Sequence, residues 1–102
     1  MGKFYTGEQV REAIAALENY SPGIWKRMKE LSRVEGRLSD EQESALSDQA
    51  YALGKVLSTM PFVTQADDPS EAKTLLILDV NRALGEELAH EDAQSTPVSK
   101  ND

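Results

Sequence analysis

Helix-start signals recur along this chain and leave little room for a sheet. Thr6 with Gln9, and Ser39 with Gln42, each match a capping box, in which two side chains satisfy amide groups that the first turn leaves open. Asp68-Pro69-Ser70-Glu71 offers a cap, a proline at the first helical position and an acid at the third. Ser21-Pro22 reads as the fourth start. Tyr5 with Val10, and Tyr20 with Trp25, stand at staple spacing around two of these starts.

Behind each start, apolar residues return at helical spacing. Val10, Ala13, Ile14, Leu17 and Tyr20 share one face. Ile24, Met28 and Leu31 continue it in the second segment, with Trp25 at the flank and Gly36 as the stop. Leu46, Ala50, Leu53, Leu57 and Met60 form a stripe in the third. Pro61 closes that segment, and Phe62 and Val63 are expected to tuck the following loop onto the core.

The stretch Leu75 to Val80 is apolar enough for a buried strand. The start signal at Asp68 and the absence of a partner strand elsewhere favour a helix. Ala72, Leu76, Val80, Ala83 and Leu84 then face the core, with Ile77 and Leu88 at its edge. From about Ala89 the sequence is polar and without period. The expected fold is therefore all-α: a compact bundle of about four helices with short connections, near 7–20, 22–35, 40–60 and 69–89. It forms one domain over 1–89, followed by a disordered polar tail over 90–102.

Composition narrows the chemistry. With 102 residues the chain suits one domain with a modest core. No cysteine is present, which excludes disulfides, thiol catalysis and the usual structural zinc sites. A cytoplasmic setting fits this, and no apolar run reaches the roughly 20 residues that span a bilayer. The single histidine, His90, sits at the edge of the polar tail and has no obvious partners for a triad or a metal site. No glycine-rich phosphate loop occurs. The acidic stretches lack EF-hand spacing and read better as helix starts, where the helix dipole favours negative charge. These absences point away from an enzyme and imply no cofactor and no metal.

Charge is unevenly spread. From Pro22 to Arg37 there are five basic and two acidic residues. From Leu38 to Glu71 only Lys55 stands against seven acids, and the chain as a whole carries -7. Lys26, Lys29, Arg33 and Arg37 cluster on one side of the second helix, opposite Ile24, Met28 and Leu31. Leu75 and Leu78 fall off the core stripe of the last helix, and Tyr51 falls on the polar side of the third.

Together these residues define the expected contact surface of a non-enzymatic interaction protein, a small regulator or inhibitor that docks on a macromolecular partner. A homodimer would use the same residues. The alternative is a nucleic-acid-binding regulator that sets Lys26, Lys29, Arg33 and Arg37 against phosphates. The net negative charge disfavours it.

Overall fold

The computed structural model describes the backbone of residues 4–100 and the side chains of residues 4–93. Five helices follow in order, with no strand among the described residues: α1 (Gly7–Tyr20), α2 (Ile24–Ser32), α3 (Asp40–Leu57), the single turn α4 (Pro61–Thr64) and α5 (Pro69–Lys100). Both capping boxes form. Thr6 accepts from Gln9 N–H while Gln9 accepts from Thr6 N–H, and Ser39 and Gln42 repeat the exchange. At the last start, Asp68 accepts from Glu71 N–H at 3.2 Å. Leu75 to Val80 is helical.

The second helix begins differently from the reading of Ser21-Pro22. Ser21 ends α1, its amide donating to the Leu17 carbonyl. Gly23 occupies the N-cap of α2 at φ +84°, a left-handed conformation that glycine adopts without a Cβ penalty. A glycine has no side chain to cap with, and Glu18 takes that role from the preceding helix. Its carboxylate accepts from Gly23 N–H at 3.0 Å and Trp25 N–H at 2.8 Å. The helix stops at Ser32, so Gly36, also left-handed at φ +83°, lies in the connection rather than at the helix end.

The core runs through the centre of the bundle. Val10, Ala13 and Leu17 of α1 meet Ile24 and Met28 of α2, Ala52, Val56 and Leu57 of α3, and Leu76 and Val80 of α5. Val63 of α4 is buried, with Phe62 packed at its edge, so the loop after Pro61 does fold onto the core. Tyr20, expected in the core, is exposed.

The face of α3 is also rotated from the expected stripe. Gln49, Ala52 and Val56 are buried with Leu57 and Met60, whereas Leu46 and Ala50 are exposed. The small Ala52 and the branched Val56 sit in the core beside α1 residues. Because α2 stops early, the first half of α3 has less helix to cover it.

The last helix continues past residue 89. At 32 residues it spans about 48 Å, which accounts for the long axis of 54 Å. The expected tail begins within this helix, and its side chains from residue 94 onward lie outside those described.

Candidate functional site

Two features of the surface concern residues singled out by sequence. The first is a ladder of ion pairs between α2 and α5. Lys29 Nζ lies 2.8 Å from both Glu87 and Glu91, and Arg33 contacts Glu91 at 3.1 Å and Asp92 at 3.2 Å. Lys29 and Arg33 are four residues apart, as are Glu87 and Glu91, so the two helices mesh one turn at a time. Hydrogen bonds donated to Glu87 and Glu91 hold the Lys29 ammonium above its usual range. Those from Lys29 and Arg33 hold the Glu91 carboxyl below its own. Trp25 joins the same set, its indole N–H donating to Glu87 at 2.8 Å.

Two of the four basic residues expected to face a partner are thus answered within the chain. Lys26 pairs with Glu30 at 3.9 Å on an open surface. Arg37 lies exposed in the connection between α2 and α3.

The second feature is a groove of about 460 Å³ where α2, α3 and α5 meet. Met28 and Leu31 line it from α2, Leu46 and Leu53 from α3, and Ile77 and Leu84 from α5. Leu38 and Ala50 add to the apolar wall, and Ser32 and Asn81 bring the polar rim. Leu46 is 47% exposed, so the groove is open along its α3 edge rather than closed over. Large apolar side chains in an open concave face are what protein and ligand sites share.

One polar group is set among these apolar walls. Gln49 is 5% exposed, and among the described residues its Nε2 is the one buried side-chain nitrogen or oxygen without a hydrogen-bond partner. A second cavity, of about 320 Å³, borders the other side of Gln49 between Ile24, Arg27 and Asp48. A third, of about 220 Å³, lies further along the same seam between Arg27, Glu30, Glu41 and Gln42. All three border the contact between α2 and the first half of α3.

The remaining sequence candidates do not form one surface. Leu78 is 48% exposed on α5 and lies about a quarter turn from the side of Ile77, Asn81 and Leu84 that lines the groove. Leu75 is half-buried on another side of α5. Tyr51, 66% exposed, stands on α3 away from the Leu46/Leu53 side. The residues that sequence reasoning missed are Ser32, Leu38 and Asn81. Leu46, Ala50 and Leu53 were visible as a stripe, but the stripe reads equally as core or as groove wall.

Among the described residues, no three metal-ligating side chains converge, and no helix is long and apolar enough to cross a membrane. No family model matches the chain, and no curated protein or solved structure shows significant similarity to it.

Proposed function

We propose that this protein is a non-enzymatic interaction module, a small regulator or inhibitor, and that it docks a protein partner in the groove between α2, α3 and α5. The observation that carries the reading is the open apolar groove with Leu46 exposed at its mouth. An exposed leucine alone is ordinary. Here it continues a concave apolar wall. The ladder between α2 and α5 supports the reading from the other side, because it consumes cations that a phosphate-binding face would need.

The test uses Leu46→Asp and Leu78→Asp. Both positions are exposed, so both variants are expected to fold as the parent does, with unchanged far-UV circular dichroism. Proteins retained from a host lysate by the parent should be lost from Leu46→Asp, and reduced with Leu78→Asp. Light scattering in parallel reads self-association. A dimeric parent that becomes monomeric in Leu46→Asp would identify a second copy as the occupant. Retention of the same proteins by parent and Leu46→Asp would sink the groove as the docking face.

A further inference from the structure

We infer that residues 29–48 form a flap, made of the end of α2, the connection and the first half of α3, which opens and closes as one unit while the rest of the bundle stays folded.

The burial pattern carries it. No side chain from Lys29 to Asp48 is buried. The chain is anchored on either side: Ile24 and Met28 precede the flap, and Gln49, Ala52, Val56 and Leu57 follow it. Within it, Leu31, Val34 and Leu38 reach only half-burial. Segments with few buried apolar side chains open at a lower free energy than the core they are joined to.

What holds the flap is local or open to water. On the α3 arm, the Ser39/Gln42 capping box and the acids of the first turn favour the helix. Helices shorter than about 12–15 residues are marginal in water on such signals alone, and this arm is shorter than that. On the α2 arm, Lys29 pairs with Glu87 and Glu91 at the root, and Arg33 reaches Glu91 and Asp92 through groups that water screens. Gly36 stands in the bend between the arms at φ +83°, and a Cβ there would meet nothing within 4 Å.

The flap supplies Leu31, Leu38 and Leu46 to the groove. Closing it completes the groove, and opening it takes those walls away. An occupant that touches them would shift the flap toward its closed state. The flap itself rests on burial and does not depend on the docking reading.

The experiment is native-state amide hydrogen exchange by NMR on the full chain, in the parent and in two variants. In the parent, amides 43–47 are expected to exchange at least about tenfold faster than amides 53–57 of the same helix, after correction for intrinsic rates. Gly36→Ala strains the left-handed backbone of the closed flap. It should speed amides 30–34 and 43–47 by one common factor, about fivefold. Tyr5→Phe removes the hydrogen bond to the Ala72 carbonyl, outside the flap. It should speed the amides of Val56, Leu76 and Val80 about fivefold through global unfolding, and leave both arms unchanged. Equal protection of 43–47 and 53–57 in the parent overturns the flap. Acceleration of one arm alone in Gly36→Ala overturns the single unit. Acceleration of both arms together with Val56 in Tyr5→Phe shows that they open only when the whole chain unfolds, and overturns it as well.

Discussion

Asp79 and Gln49 are the two polar residues buried among the described side chains, and their surroundings are opposite. Asp79 is fully buried on α5 and accepts from Phe4 N–H at 2.9 Å and Tyr5 N–H at 2.7 Å. It clasps the segment before α1 to the last helix. Tyr5 then reaches across to donate from its hydroxyl to the Ala72 carbonyl, and its ring meets Phe62 at 5.4 Å. Burial and the nearby Asp79 carboxylate push the Tyr5 phenol above its usual range. At the α2–α3 seam, Gln49 is as hidden but its amide nitrogen bonds to nothing. One buried polar group ties the bundle together. The other is a buried donor left unpaired between α2 and α3, a cost to stability that nothing in the fold offsets.

Substitution should separate the two. Asp79→Ala leaves two backbone amides without their acceptor in a buried setting. It is expected to lower stability by about 3 kcal/mol, the range for hydrogen bonds to a charged group. Urea denaturation measures it, and limited proteolysis should show earlier cleavage near Phe4. Gln49→Met should act in the opposite direction. Removing an unpaired buried donor is expected to raise stability by about 1–2 kcal/mol. If Gln49→Met lowered the urea midpoint as Asp79→Ala does, Gln49 would be a structural residue and the contrast would collapse.

The sequence makes the helices legible because their start signals are local. A capping box needs only four residues, so Thr6/Gln9 and Ser39/Gln42 could be read without knowing the fold. The start of α2 could not. Ser21-Pro22 is a good local signal, yet Glu18 on the previous helix and the backbone freedom of Gly23 set the boundary together.

The candidate site was legible only in part, because it depends on which helices meet. A stripe such as Leu46, Ala50 and Leu53 shows that one side of α3 is apolar. It does not show that α2 ends at Ser32 and leaves that side open. The cations of α2 were legible as a cluster, but their acids lie some 60 residues away on α5. Asp79 did leave a signal: an acid inside the most apolar stretch of the chain, Leu75 to Val80, has to find donors.

Glu18 fixes the start of α2, and the backbone amides of Gly23 and Trp25 hold its carboxyl below the usual value of 4.5. A carboxyl lowered in the folded state adds stability that is fully present above the unfolded value. That contribution is lost as the pH falls through the lower, folded value. Glu18→Gln is expected to cost about 1 kcal/mol at neutral pH, the scale of a helix cap. It should also remove part of the acid sensitivity below about pH 4.5. Glu91 shifts in the same direction, so some acid dependence remains in the variant. A urea series across pH reads both effects. An acid profile identical to the parent's would show that Glu18 does not hold α2.

The smallest effect should come from the ladder on the other flank of α2. Its carboxylates and Arg33 are open to water, where ion pairs add little and salt weakens them. Glu91→Gln is therefore expected to move the urea midpoint least of the four substitutions. Trp25 still keeps its bond to Glu87 in that variant, so the indole emission should stay close to the parent's. The useful result would be the contrary one. A drop comparable to that of Asp79→Ala, with a red shift of Trp25, would mean that α2 is held to the bundle by charge rather than by Ile24 and Met28. The groove would then open and close with ionic strength, and the difference between the two halves of the molecule would lie in charge rather than in packing.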